Sequence, residues 1–336
     1  MAAPGYSRVF VSLGMFIVDE FQFHDEEDRP TGRTLPAQES PKLSPDRVGM
    51  LVDRGTDFPE HIQKKLDVFG QDMWLFRDHT DCGTTRALNS YKGEQRGFRY
   101  LTPRIRLTPH DLLHTKFWRP EMLHFICSPT RAGTIISEVK EHGNWNPITI
   151  YEPIPYRCVP EELQPLRNIL ASISVLSPNA DEALSLLSIP GSVTKPLIEE
   201  ACRRFLEFGV GPEGNGAVVI RSGALGAYVA TRKGGGEWIP AFWNENDAPE
   251  HVVDVTGAGN SFLGGLGAGL ALAGGNIVDA TLYGTVSASF TIEQAGLPRL
   301  TETEIEDGSI VERWNGDSPH RRLKELQERM RTQRGT

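Results

Sequence analysis

Cysteine is scarce in this sequence and never occurs in pairs. The 336 residues include four cysteines, and no two of them have C-x-x-C spacing: Cys82, Cys127, Cys158 and Cys202. Disulfide scaffolds and zinc ribbons both require dense or closely paired cysteines. The spacing therefore excludes these two classes and predicts reduced thiols that are mostly buried.

Long apolar runs and basic leader segments are also lacking. The longest apolar stretches, 9–18 and 262–273, are shorter than the roughly 20 residues needed to span a bilayer. The first stretch has neither a basic leader nor a small-residue cleavage site. We therefore expect no membrane association and a location in the cytoplasm, or in the cytoplasm and nucleus.

Positive charge is in deficit, since the net charge is -9 and the pI is about 5.6. An acidic chain lacks the basic surface on which nucleic-acid binding depends, so we expect no nucleic-acid partner. The length is sufficient for a sizeable core, as one large α/β domain or two ordinary ones.

Two familiar phosphate-binding glycine motifs are absent. A P-loop requires a Gly-Lys pair, and the sequence contains none. A dinucleotide fingerprint that began at Gly257 would need glycine at position 262, where Phe262 stands. Both motifs are therefore excluded for the most glycine-rich part of the chain.

That glycine-rich part begins with Asp-Val-Thr-Gly-Ala-Gly-Asn-Ser-Phe at residues 254–262. The β-branched residues at 251–253 predict a strand before it, and apolar residues spaced by four after it predict a buried helix. Gly257 and Gly259 allow backbone to approach a ligand closely, and the helix directs unpaired N–H groups at the same place. The stretch predicts an anion-binding turn suited to a phosphoryl group, although a tightly packed turn without a ligand has the same composition.

The rest of the chain alternates between short β-branched runs and helical spacings. Strands are predicted near 8–14, 48–53, 73–77, 123–127, 148–151, 173–177 and 217–221. Helices are predicted between them and over 195–208 and 280–295. Alternation of this kind predicts an α/β fold with a doubly wound, mostly parallel sheet and helices on both faces.

The stretch from Asp254 to Asn260 resembles the second signature of the ribokinase-like (PfkB-type) carbohydrate kinases. In that family the last position of the signature is an aspartate that acts as the catalytic base. Asparagine there, followed by Ser-Phe-Leu-Gly, resembles the fungal maintenance-of-killer proteins, a divergent branch of the same superfamily. The resemblance implies a ribokinase-like fold with a small β lid over the substrate.

The resemblance also implies roles at the predicted anion-binding turn, residues 254–260, which we call the organising turn. Gly257, Ala258 and Gly259 would form an anion hole, and Asn260 occupies the base position. Asp254 and Thr256 would serve a monovalent cation site, with K⁺ as its ion.

Further roles fall on residues outside the turn. The resemblance implies that Asp19 binds sugar hydroxyls and that Gly223 and Gly226 contact the nucleotide. It implies that Asn179 and Glu182 place Mg²⁺ and phosphate through water molecules. The residues themselves leave two alternatives open: Asp19 as a solvated loop carboxylate, and Asn179 with Glu182 as an ordinary helix capping box.

Two features depart from the family pattern. The segment 24–45 reads as a charged, proline-rich insert and contains only Gly32, whereas the family carries a Gly-Gly pair in this region. Arg221 takes the place of the threonine in the nucleotide-binding turn. Substrate binding and the nucleotide contact are the properties these departures affect.

The expected organisation is one ribokinase-like domain over 1–300, with a lid hairpin over 84–101, followed by a charged tail over 301–336 with a terminal helix. One hypothesis is an ATP-dependent kinase that phosphorylates a hydroxyl of a sugar or sugar-like molecule, with catalysis impaired or altered by Asn260. The alternative is a non-catalytic pseudokinase that binds a nucleotide or metabolite and acts through protein partners. ATP, Mg²⁺ and K⁺ are the expected cofactors, and a homodimer is one assembly left open.

Overall fold

The computed structural model describes residues 8–24, 45–92, 95–243, 248–304 and 310–335. Two compact units are present. The first consists of residues 1–38 and 43–121, and the second of residues 39–42 and 122–336. Most of the predicted insert over 24–45 lies outside the described residues.

The first unit contains a parallel three-stranded arrangement with one covering helix. Its strands are β1 (Phe10–Ser12), β3 (Val48–Arg54) and β4 (Trp74–Asp78), and helix α1 (Glu60–Asp67) links β3 to β4. The helix turns Ile62 and Leu66 into a core formed with Val52 and Trp74. The Trp74 indole N–H donates to the Leu66 carbonyl at 2.9 Å, so its polar end is satisfied where the ring is buried.

A second, small sheet belongs to the same unit. Strands β2 (Val18–His24) and β5 (Arg86–Lys92) pair in parallel, and β6 (Gln95–Tyr100) pairs antiparallel with β5. Within the predicted lid hairpin, Lys92 ends β5 and Gly93 lies outside the described residues. The two strands β5 and β6 occupy the segment for which a lid hairpin was expected.

The second unit is built on a six-stranded set. The strands in spatial order are β7 (Met122–Cys127), β8 (Ile148–Pro153), β9 (Val175–Leu176), β10 (Ala217–Arg221), β11 (Ala227–Thr231) and β12 (Gly235–Ile239). The first four are parallel, and the last two continue antiparallel. The parallel strands are almost wholly buried, as expected where helices pack on them.

Helices connect and cover these strands. They are α2 (Pro129–Glu141), α3 (Leu163–Ile169), α4 (Ala180–Leu186), α5 (Lys195–Glu207), α6 (Ala258–Leu272) and α7 (Ile277–Thr291). The mostly parallel α/β architecture predicted from the sequence is confirmed. Among the described helices, none is both long and apolar enough to cross a membrane.

Helices α6 and α7 pack at backbone distance because glycines line their contact. A Cβ atom on Gly265 would lie 2.6 Å from the Tyr283 carbonyl oxygen, and one on Gly284 would lie 2.8 Å from the Phe262 carbonyl oxygen. Real Cβ atoms do not approach so closely. The small residues after the organising turn therefore fix α6 against α7, and with it the position of the first turn of α6.

The tail also packs on this unit. Strands β13 (Leu300–Glu304) and β14 (Ile310–Trp314) form an antiparallel hairpin that is followed by α8 (Pro319–Gly335). Arg322 of α8 is 3% exposed and lies over the Phe290 ring at 3.7 Å from its centre. Its guanidinium also donates to the Ser289 hydroxyl at 2.9 Å and pairs with Glu293 at 2.6 Å, so α8 is fastened to the end of α7.

Candidate active site

The organising turn precedes α6, but no strand directly precedes the turn. The strand predicted at 251–253 is wrong: a single 3-10 turn, Pro249–His251, is followed by irregular backbone. The amides of Val253 and Asp254 both donate to the Ile292 carbonyl, at 2.8 and 3.1 Å. The backbone amides of Val253 and Asp254 thus anchor the turn to the end of α7 instead of extending a sheet.

Gly257 is the residue on which the turn depends. It is the N-cap of α6 and has φ 83°, a left-handed conformation that side chains with a Cβ rarely adopt. The next three residues form the first helical turn, where amide groups have no partner within the helix. The Ala258 amide donates to the Val255 carbonyl at 3.2 Å, so the N–H groups that this turn can present to an anion are those of Gly259 and Asn260, together with the positive end of the helix dipole.

Asn260 lies in this first turn and is exposed. Its side chain is a neutral amide, which can donate and accept hydrogen bonds but cannot take up a proton at neutral pH. The base position is thus accessible to a ligand and is held by a group that can orient a hydroxyl but cannot deprotonate it.

Three neighbouring strand ends bring a charged cluster to the same region. Glu152 ends β8, Ser177 follows β9 and Arg221 ends β10. Arg221 Nη2 donates to Glu152 Oε1 at 2.5 Å and to the Ser177 carbonyl at 3.2 Å. Because carboxyl ends of parallel strands form the ligand-binding edge of such sheets, this cluster lies where a site is expected.

The other guanidinium nitrogen of Arg221 faces the organising turn. A Cβ atom added to Gly259 would overlap Arg221 Nη1. The glycine therefore leaves room for a guanidinium, and Arg221 lies directly beside the predicted anion-binding turn. The sequence predicted that the turn would lie at the carboxyl end of the strand directly before it. The turn instead lies beside Arg221, the last residue of β10.

Asn179 and Glu182 form a capping box at the start of α4. The Asn179 amide donates to Glu182 Oε2 at 2.7 Å, its side-chain amide donates to Oε1 at 2.8 Å, and the Glu182 amide donates back at 2.9 Å. Glu182 is 4% exposed, and its Oε2 lies 3.7 Å from Arg221 Nη2. Both oxygens of this carboxylate are thus occupied inside the protein.

Burial shifts the titration of the acidic groups in the cluster. Desolvation raises the pKa of Glu182 to about 7, against the opposing effect of Arg221. Desolvation also raises the pKa of Glu152, while burial and the nearby guanidinium lower the pKa of His124 to about 4. The cluster consequently holds two carboxyl groups whose negative charge is opposed by burial and favoured by one permanent cation, Arg221.

Gly223 and Gly226 have a structural reason to be glycine. Their φ angles are 55° and 92°, and a Cβ atom on Gly226 would overlap the Ile239 carbonyl oxygen. They form the tight turn between β10 and β11, in which the Ser222 amide donates to the Gly226 carbonyl at 2.7 Å. Their contact with a nucleotide stays a prediction.

The other predicted residues are placed as follows. Asp254 Oδ1 accepts the Thr256 amide at 2.9 Å, so this carboxylate shapes the turn, and its monovalent cation stays a prediction. Asp19 lies on β2 opposite Ala87, and its side chain is outside the described part of the structure. Asp19 belongs to the first unit and the organising turn to the second.

Comparison with known proteins identifies the family. The family model described as pfkB family carbohydrate kinase matches residues 128–303, which include the capping box, Arg221 and the organising turn. The chain belongs to the pfkB family of carbohydrate kinases. The resemblance to the ribokinase-like (PfkB-type) kinases that was inferred from the sequence is thereby confirmed.

Two curated fungal relatives place this pfkB-family chain in a branch. It is 31% identical to protein MAK32 of Saccharomyces cerevisiae over 344 residues, covering 94% of this chain and 90% of that protein. It is also 31% identical to an uncharacterised protein of Schizosaccharomyces pombe over 352 residues, covering 98% and 95%. The chain therefore belongs with the fungal maintenance-of-killer proteins, as the asparagine at 260 suggested.

A solved structure shows the same fold. The ribokinase of Cryptococcus neoformans, solved in complex with ADP, superimposes with a TM-score of 0.61 at 20% identity, covering 86% of this chain and 95% of that one. At this identity the likeness establishes the ribokinase fold alone.

Sequence reasoning did not assign Glu152 or Arg221 to the site. Each is a charged residue that ends an otherwise apolar, buried strand, in Ile-Thr-Ile-Tyr-Glu and Ala-Val-Val-Ile-Arg. Charged residues at the carboxyl ends of nearby parallel strands are a recognisable signal of a site. Their pairing depends on the strand order, which the sequence alone did not supply.

Proposed function

We propose that this pfkB-family protein binds ATP and transfers its terminal phosphoryl group to a hydroxyl of a sugar or sugar-like alcohol, with catalysis weakened at the base. The observation that supports this proposal is the left-handed Gly257 turn at the start of α6, with Arg221 packed against Gly259. Backbone N–H groups and a guanidinium that lie together are the groups that stabilise charge on a transferred phosphoryl group, which supports the proposal.

The residues at the site supply some of the requirements of phosphoryl transfer. The turn binds and orients the phosphate, and Asn260 can hold the accepting hydroxyl in line. The hydroxyl proton has no carboxylate to receive it at position 260, and general-base catalysis is typically worth about 10²- to 10⁴-fold. We therefore infer a slow reaction. The phosphoryl group moves to the hydroxyl oxygen, ADP leaves, and the hydroxyl proton passes to water or to the phosphate of the departing ADP.

The second candidate is a non-catalytic pseudokinase that binds a nucleotide or metabolite and acts through protein partners. The observation that favours it is that two of the departures from the family pattern, Asn260 and Arg221, lie close together, since Arg221 contacts Gly259 next to Asn260. Binding of ATP is common to the two candidates, and turnover separates them.

Calorimetric titration with ATP tests the common step. We expect wild-type protein to bind ATP at or below millimolar concentration. Replacing Gly257 by valine adds a Cβ branch at a left-handed position in the phosphate cradle, so the affinity should fall by at least about tenfold.

Gly274 provides a matched control. It also has a positive φ, 59°, and lies beyond the other end of α6 in open space. Gly274→Val imposes the same kind of backbone strain away from the turn and should leave ATP affinity unchanged. An equal loss in both variants, or no binding by the wild type, would reduce the family relationship to a shared fold.

A further inference from the structure

Arg221 is held in a place that is electrostatically unfavourable for a cation. Its Nη1 packs against Gly259 in the first turn of α6, and the first turn carries the positive end of the helix dipole. A guanidinium there is repelled by the helix unless other groups compensate. Its position therefore needs an explanation.

The compensation comes from the sheet side of the guanidinium. Nη2 donates to Glu152 Oε1 at 2.5 Å and lies 3.7 Å from Glu182 Oε2, and the side chain is only 12% exposed. Two buried carboxylates thus draw one edge of the guanidinium inward. The opposite edge is directed at the helix amides, so both groups can donate to the same bound anion.

Glu182 does not fit the Mg²⁺ role that the family resemblance gives it. Both of its oxygens accept hydrogen bonds from Asn179, and its Oε2 lies beside Arg221. A carboxylate that closes a capping box and is 4% exposed is withdrawn from solvent, whereas a hydrated cation binds to oxygen ligands that its water molecules can reach. The positive charge beside the turn is instead the guanidinium.

We propose that Arg221 supplies the charge that a divalent cation ordinarily supplies to a phosphate chain, so that the triphosphate of a nucleotide binds at Gly257–Gly259 without Mg²⁺. The proposal rests on the proposed function for the nucleotide, but its physical content is a polyphosphate site. Arginine is suited to this role because its planar fork donates two hydrogen bonds to phosphate oxygens and remains charged at any working pH.

The first experiment compares ATP binding to the full chain in excess Mg²⁺ and in excess EDTA, by calorimetry. We expect the two affinities to agree within about threefold, a difference of about 0.65 kcal/mol. Wild-type protein that binds ATP only in the presence of Mg²⁺ would overturn the proposal. No variant is needed for this comparison, so folding defects cannot obscure it.

The second experiment removes the guanidinium. Arg221→Thr restores the residue type of the family pattern, and Glu152→Gln in the same chain prevents an uncompensated buried carboxylate. Because hydrogen bonds to charged groups are strong, loss of the guanidinium should lower the affinity for ATP in EDTA about 10- to 100-fold. The affinity for adenosine, which has no phosphate, should not change. Arg203→Ala, an exposed arginine on α5, is the control and should bind ATP as the wild type does.

The third experiment uses inorganic tripolyphosphate in EDTA to separate this proposal from the proposed function. Binding of tripolyphosphate that is lost in the double variant supports the polyphosphate site, even if ATP itself does not bind and the proposed kinase function fails. Absence of tripolyphosphate binding by the wild type, or equal binding by wild type and double variant, overturns the proposal. Stronger ATP binding by the double variant would also overturn it, because Arg221 would then obstruct the turn.

Discussion

Among the described residues, charged clusters lie at the ends of parallel strands in both units, and their polar atoms find hydrogen-bond partners to different degrees. In the first unit, Asp53 accepts Arg77 Nε at 2.8 Å and Nη2 at 2.9 Å, and its Oδ1 also lies 2.7 Å from His79 Nε2. Arg77 in turn donates to Asp111 at 2.5 Å. Each polar atom named here has a partner, so this cluster is complete.

The cluster in the second unit is incomplete. Within the part of the chain that the structure describes, Glu152 Oε2 and Arg221 Nε have no hydrogen-bond partner. Two buried carboxylates share one guanidinium there, and His124 Nε2 lies 3.9 Å from Glu152 Oε2, beyond hydrogen-bond distance. Asp53, by contrast, has both a guanidinium and an imidazole within hydrogen-bond distance. Completed buried networks stabilise a fold, whereas an unsatisfied buried polar group calls for a further partner. The contrast supports a structural role for the first cluster and agrees with the ligand-binding role that we propose for the second.

The strongest way to sharpen this contrast is to restore the base beside the second cluster. Asn260→Asp places a carboxylate of nearly the same shape in the first turn of α6, where the helix dipole keeps it ionised. In an impaired kinase, ADP release with a panel of sugars should become faster by roughly 10²- to 10⁴-fold.

Two results would argue differently. If neither protein turns over any alcohol although both bind ATP, the pseudokinase is the better description. A wild type that is already fast and does not gain from Asn260→Asp would show that the proton leaves by another route, and the role given to position 260 would be wrong.

The complete cluster should respond in stability and not in binding. Asp53 is 6% exposed, and removing one partner of a buried ion pair leaves the other charge uncompensated. We expect Asp53→Asn to lower the free energy of unfolding by about 3 kcal/mol, measured in denaturant, with ATP affinity unchanged.

Asp78 provides the matched control, since it pairs with Arg54 at 2.7 Å but is largely exposed. Asp78→Asn should give an unfolding curve that overlays the wild type. The contrast between the clusters would break down if Asp53→Asn weakened ATP binding as strongly as it weakened folding.

A smaller effect is expected from pH. The pKa of Glu182 is raised from 4.5 to about 7 in the folded protein, so between these values the folded state binds more protons than the unfolded state. The stability from this group is fully present below pH 4.5 and is lost as pH rises through about 7. Relative to Glu182→Gln, the wild type should lose on the order of 2 kcal/mol between pH 5 and pH 8.

Denaturant unfolding of both proteins at several pH values measures this difference. The opposite shift at His124 is present in both proteins and cancels in the comparison. Parallel profiles for wild type and variant would mean that Glu182 ionises as it would in water, and that Arg221 already neutralises it.

Periodicity was sufficient to predict most of the fold. The helix predicted over 195–208 is observed as Lys195–Glu207, and the strand predicted over 217–221 is observed as β10. These segments have a single strong pattern, with one buried face or a wholly apolar run. The predicted strand at 251–253 failed because Val252 and Val253 indicate an extended backbone, but the Val253 amide donates to the Ile292 carbonyl at the end of α7 and not to a strand.

The site was predicted only where local backbone determines it. The turn at Gly257 and the capping box of Asn179 with Glu182 involve residues within a few positions of one another, so their spacing identifies them. The pairing of Glu152 with Arg221 joins residues 69 positions apart. Contacts of that range follow from strand order, and a single sequence does not specify it.

The attachment of α8 has a consequence for how the protein is made. The Ile292 carbonyl anchors the amides before the organising turn, and Glu293 beside it is held by Arg322. A ribosome adds about 5–20 residues per second, so the codon for Arg322 is read roughly 3–12 s after that for Asn260. The nascent chain thus carries its entire signature motif for seconds before the residue that braces it exists. A chaperone that holds α7 during that interval would protect the end of the helix, including Phe290, that α8 later covers.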